Sequence, residues 1–172
     1  MIQVVIDASV ARSTGADQAT DYRSASCRMV LSVIRKQKQY YVLMTDAIIE
    51  EWLKHESSSA KSWLTYMSSK DRVIVISKSV NERFRNRVKH HAPPNKLHIM
   101  LKDCHLLEAC FIGNNIVISL DEEVRGLYAS ICDKIPQLKQ VLWANPNQEP
   151  IIPWLQTGAE QHPDFILCEF AS

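Results

Sequence analysis

Four carboxylates stand where strand ends and helix faces could aim them at one point. Asp7 closes the apolar run Met1–Ile6, and Asp121 closes a second one, Ile116–Leu120. Glu51 follows the strand-like segment Tyr40–Thr45, and Asp103 lies in the Leu- and Ala-containing segment Lys102–Phe111. Acids at the ends of buried strands call for a positive partner. Oxygen-rich clusters of three or four acids suit octahedral Mg2+ or Mn2+, and such ions polarise phosphoryl groups and activate water. The expectation is therefore a four-carboxylate metal site at Asp7, Glu51, Asp103 and Asp121, and phosphodiester cleavage as its chemistry. Each acid also has a plainer reading. Asp7 or Ser9 would cap the following turn, Asp121 would cap the helix after its strand, and Glu51 or Asp103 would be an ordinary helix acid.

The elements that must carry these residues alternate. The residue pattern predicts strands over 2–6, 40–45, 116–120 and 141–143, and a strand or extended connector over 73–76. It predicts helices over roughly 18–38, 47–55, 61–69, 79–91, 96–112 and 122–133, with residues 7–15 as a loop. Thr45 or Asp46 caps the second of these helices, Pro93 and Pro94 end the basic one, and Gly113 stops the long one. This is an α/β fold: a central, mainly parallel sheet of four or five strands with helices on both faces. In such sheets ligands lie at the carboxyl ends of the strands, where Asp7 and Asp121 stand.

Size and composition narrow the function classes. The 172 residues make one domain, or one with an appendage; 46% are hydrophobic, 23% are charged and the net charge is +1. Overall charge thus does not call for nucleic acid, so a basic surface must be local. No apolar stretch approaches the roughly 20 residues of a membrane span, and the N-terminus does not read as a signal peptide. Cys27, Cys104, Cys110, Cys132 and Cys168 are odd in number and lack a CxxC pair, which reads as reduced thiols in a cytoplasmic protein. Four glycines and no Gly-rich loop argue against P-loop and Rossmann nucleotide folds. The first strand also lacks the Asp-x-Asp of many phosphotransferases.

Taken together the motifs resemble the PIN-domain nucleases. Val5–Ser9 looks like that family's opening strand, an Asp followed two residues on by Ser or Thr. In Thr45–Trp52 a Thr precedes a helix whose Glu comes six residues later, a register that selects Glu51 over Glu50. Asp103–Ala109 looks like the third motif and Ser119–Val124 like the fourth, with Val124 where an aromatic is usual. The resemblance covers roughly residues 2–143 and divides the chain into a PIN-like nuclease domain, 1–143, and an irregular extension, 144–172. The extension would pack back through Trp154, Leu155, Phe165 and Phe170. It implies a Mg2+- or Mn2+-dependent endoribonuclease, with Ser9 and Ser119 orienting carboxylates or phosphate and Glu123 as an auxiliary ligand. It also implies RNA as substrate and, for the bacterial toxins of type II toxin–antitoxin pairs, a homodimer silenced by an antitoxin. The alternative is a catalytically inactive PIN-like module that binds RNA or serves assembly.

The basic segment Glu82–His91 reads as a solvated helix face or as an RNA contact through Arg83, Arg85, Arg87 and Lys89. Its arginines alternate and so spread around a helix instead of forming one stripe. Its histidines match no closed zinc site. Trp52, Trp63, Trp143 and Trp154 read as core or interface anchors.

Overall fold

The computed structural model describes residues 1–15, 21–77, 80–148 and 150–170. Five parallel strands form one sheet: β1 (Ile2–Ile6), β2 (Tyr40–Thr45), β3 (Val73–Ile76), β4 (Ile116–Ile118) and β5 (Leu142–Ala144), in the order β3-β2-β1-β4-β5. Helices cover both faces: α1 (Ala8–Ser13), α2 (Tyr22–Lys36), α3 (Asp46–His55), α4 (Ser58–Ser69), α5 (Glu82–His91), α6 (Leu97–Cys110), α7 (Glu122–Ala129) and α8 (Ile151–Gln156). The chain leaves β1 toward β2 on one side and later returns to β4 on the other. The crevice between the carboxyl ends of β1 and β4 is thus the switch point of the sheet.

The central strand explains itself. Val4, Val5 and Ile6 are fully buried, so both faces of β1 are covered and the run needs no polar alternation. The helices start where side chains accept their first amides: Asp21 from Ser24, Thr45 from Ile48, Ser57 from Ala60, Asn81 from Phe84 and Asp121 from Val124. Two tryptophans tie layers together. The Trp52 indole donates to the Ile6 carbonyl at 2.9 Å, and that of Trp63 to the Leu31 carbonyl at 2.7 Å. Gly113 is needed for close approach, because a Cβ there would stand 2.5 Å from Leu43 Cδ1 in the core.

Several elements differ from the sequence reading: the helix expected over 61–69 begins at Ser58, that expected over 122–133 ends at Ala129, and the tail expected to be irregular contains α8. The loop expected after Asp7 is the helix α1, whose Val10 and Ala11 are fully buried. The strand expected over 116–120 ends at Ile118, because Ser119 and Leu120 turn toward Ser9 and Asp7. The expected start of the first long helix, at 18, lies outside the described residues, as does the expected start at 79; the described helices begin at Tyr22 and Glu82.

Residues 145–148 and 150–170 pack against β5 and reach back to α2 and β2. Ile166 forms an antiparallel bridge with Leu142, and the Leu167 amide donates to the Val141 carbonyl at 2.9 Å. The Tyr40 hydroxyl donates to the Leu155 carbonyl at 2.6 Å, and Trp154 packs on Phe165 with ring centres 4.2 Å apart. Cys132 and Cys168 form a disulfide across 36 positions, with Cα atoms 5.6 Å apart. This corrects the reading of five reduced thiols: three cysteines are free, and two are joined. The cytoplasmic assignment loses the support it drew from unpaired thiols. Among the described residues no helix is long and apolar enough to cross a membrane.

Candidate functional site

Asp7, Glu51, Asp103 and Asp121 line one polar cleft of about 350 Å³ at the switch point, together with Ala8, Ser9, Arg12, Lys54, His55 and Lys102. Four elements supply the acids. Asp7 follows β1, Asp121 follows the β4 turn, Glu51 stands on α3, and Asp103 stands on α6. Glu50 is exposed and does not line the cleft.

The carboxylates are engaged with the chain itself. Asp7 is 9% exposed, and its Oδ2 accepts from the Ser9 hydroxyl at 2.5 Å and from the Ser119 hydroxyl at 2.7 Å. Those hydroxyl oxygens accept in turn, Ser9 from the Leu120 amide at 3.2 Å and Ser119 from the Asp121 amide at 3.0 Å. Asp121 Oδ1 accepts the Val124 amide at 2.9 Å, capping α7. The side chains of Asp7, Ser9, Ser119 and Asp121 therefore knit the end of β1 to the end of β4 and to the start of α7. Glu51 Oε2 stands 3.3 Å from Nε2 of His105, a buried ring whose Nδ1 lies 2.9 Å from the Lys102 carbonyl. Among the described residues the Asp103 side chain makes no such bond. Its carboxyl is pushed up to about 6, first by burial and then by the charges of Asp7 and Asp121, against the lowering pull of Lys102 and His105.

The arrangement corrects the metal expectation. Among the described residues, no group of three or more His, Cys, Asp or Glu is placed to hold a metal ion. An octahedral ion needs several converging free oxygens. Here Asp7 Oδ2 already holds two hydroxyls, Asp121 Oδ1 holds an amide, and Glu51 faces an imidazole. The Mg2+ or Mn2+ cofactor therefore has no centre among the described residues. With it fall the hydrolase assignment, the ribonuclease mechanism routed through that ion, and the toxin role.

The remaining candidates are scattered. Glu123 pairs with Lys96 at 2.6 Å, outside the cleft. On α5, Arg85 is committed to Glu108: Nε and Nη2 donate to its two oxygens at 2.7 and 2.8 Å, and the Asn81 amide adds a third bond at 2.8 Å. Arg83 and Lys89 are exposed, Arg87 is half-buried, and none of α5 reaches the cleft.

The sequence reading missed the cations of the cleft. Arg12, Lys54 and Lys102 are exposed and make no ion pair among the described residues. Lys54 carried a signal, since it lies three residues after Glu51 on the same helix face. Arg12 carried none, because its segment reads as a loop. Comparison with known proteins returns no matching family model, no matching curated protein and no matching solved structure.

Proposed function

We propose that the chain is a PIN-like module that binds single-stranded RNA without cutting it. The PIN-like part would run over 1–143, with 144–172 as its extension. The resemblance is supported by the parallel sheet and by the four motif acids meeting at its switch point. The observation that carries the RNA reading is the layered charge of that cleft: exposed Arg12, Lys54 and Lys102 beside carboxylates that are recessed or tied into the fold. Phosphates of a strand meet the cations, and each one neutralised releases counterions and makes binding salt-dependent. The strand's donors, its 2′-hydroxyls and exocyclic amines, turn inward to carboxylate oxygens, which accept such groups. A DNA strand has no 2′-hydroxyl to offer. Assembly with a partner protein is the other role open to a non-catalytic module; the exposed, unpaired cations favour RNA.

The test is fluorescence anisotropy with one labelled single-stranded RNA and its DNA counterpart over a salt series. The RNA is expected to bind more tightly, with affinity falling as salt rises. The triple variant Arg12→Ala, Lys54→Ala, Lys102→Ala should weaken it at least tenfold. Equal affinity for DNA, or an unaffected triple variant, sinks the proposed cleft. RNA recovered intact after incubation with manganese fits a binding module; cleaved RNA overturns it.

A further inference from the structure

A second cleft lies on the opposite rim of the sheet, at the end of α2 and the amino ends of β2 and β3. It measures about 570 Å³ and is lined by Arg35, Lys36, Lys38, Tyr41, Tyr66, Lys70 and Arg72. Five of these seven residues are cationic and none is acidic. In a chain with 20 Lys and Arg against 19 Asp and Glu, such segregation does not follow from composition. Asp71 sits between two of the cations in sequence, at φ 53°, but does not line the cleft.

The fold accounts for only part of this charge. Arg35 and Lys36 occupy the last turn of α2, where the helix dipole favours cations. Arg72 is 6% exposed and closes that helix end, donating to the carbonyls of Ile34, Arg35 and Gln37 at 3.3, 2.7 and 3.1 Å. Lys70 caps the carboxyl end of α4, where the dipole again favours a cation, but neither reason covers Lys38; both lysines are exposed, come from different segments and have no carboxylate partner among the described residues. The aromatic walls are equally specific. The Arg35 guanidinium lies 3.8 Å over the Tyr66 ring, with Lys70 5.8 Å from the same centre. Tyr41 is half-buried and makes no ring contact among the described residues.

We infer that this cleft binds a nucleoside phosphate, with phosphoryl oxygens on Lys38, Lys70 and the Arg35–Lys36 turn and the base against Tyr41. Guanidinium and ammonium groups pair with phosphate by charge-assisted hydrogen bonds, and base–aromatic stacking tolerates any base. The volume is in the range of small-molecule sites, about 300–1,000 Å³. The same chemistry is offered by a free nucleotide and by the end of an RNA strand. This site is separate from the carboxylate cleft and does not depend on RNA binding there.

Isothermal titration of the full chain with ATP, with inorganic triphosphate and with a short 5′-phosphorylated RNA tests the site. ATP is expected to bind more tightly than inorganic triphosphate. The pair Lys38→Ala, Lys70→Ala, both exposed, should weaken ATP at least tenfold while the circular dichroism spectrum is kept. Tyr41→Ala should weaken ATP but leave inorganic triphosphate unchanged. ATP binding that exceeds the RNA's assigns a free nucleotide, and the reverse assigns a strand end; either supports the site. No binding of ATP or of the RNA, or affinities untouched by the lysine pair, overturns it. Equal affinity for ATP and triphosphate overturns the base contact. Loss of RNA binding in the Arg12, Lys54, Lys102 variant, with ATP binding kept, separates the two clefts.

Discussion

At the scale of single residues, the four acids have unequal lives. Asp7 and Asp121 earn their places by hydrogen bonds that close the crevice, whereas Asp103 is held in it by the backbone of α6 with no hydrogen-bond partner for its side chain among the described residues. A carboxyl raised to about 6 from the usual 3.8 keeps its proton in the folded state over that interval, where the unfolded chain has lost it. The folded state binds more protons there, so this group's contribution to stability falls as pH rises through roughly 4 to 6. Asp103→Asn should therefore raise the melting temperature relative to the parent at pH 7 and leave it almost unchanged at pH 4. Thermal unfolding at the two pH values checks this; a gain of equal size at both would refute it. The positions of Asp7 and Asp121 were legible in the sequence because each ends an apolar strand. Local pattern could not say what the Asp7 oxygen holds, since Ser9 and Ser119 are 110 positions apart in the chain yet meet on one carboxylate atom; only the resemblance put those two hydroxyls beside a carboxylate or phosphate.

At the scale of elements, α5 shows how composition misleads. Its sequence reads as a solvated basic face or an RNA contact, but Phe84 and Val88 are fully buried and Arg85 turns inward to Glu108. The Glu108 side chain is fully buried, while that of Arg85 is 28% exposed. The hydrogen bonds that the Arg85 guanidinium donates to Glu108 hold it well above its ordinary value. Arg85→Ala leaves a buried carboxylate with one amide for company, and removal of one partner of a buried pair costs about 3–5 kcal/mol. Urea unfolding should show a loss at the lower end of that range, because Arg85 is partly solvated. Glu108→Gln should recover part of the loss in the Arg85→Ala background, since a neutral amide needs no counter-charge. Some element boundaries were readable from a cap or a proline, as at Thr45 and Pro93, but the start of α4 was not, although Ser57 caps it: the serine run there reads as a break. The boundaries were not readable at α1, where the helix has six residues, too few for its buried Ala8, Val10 and Ala11 to show a period.

At the scale of the whole molecule, the parallel sheet was legible because buried strands and amphipathic helices alternate along the chain. The strand order was not, since it depends on which side of β1 each crossover returns to. The tail was the least legible part: its bridge to β5 and its disulfide join residues that local pattern cannot relate. Closing a loop of that length removes roughly 4 kcal/mol of unfolded-state entropy on the chain-entropy account. Cys168→Ser should lower stability by an amount of that order, measured by chemical unfolding without reductant; an unchanged midpoint would show that the bridge adds nothing. Lys134 and Lys139 are exposed and lie between the two bridged cysteines. A protease that cuts after either lysine therefore opens the chain without parting it. The two pieces should run as one species on a denaturing gel until a thiol is added, so a nicked molecule keeps its edge strand dressed and carries no outward sign of the cut.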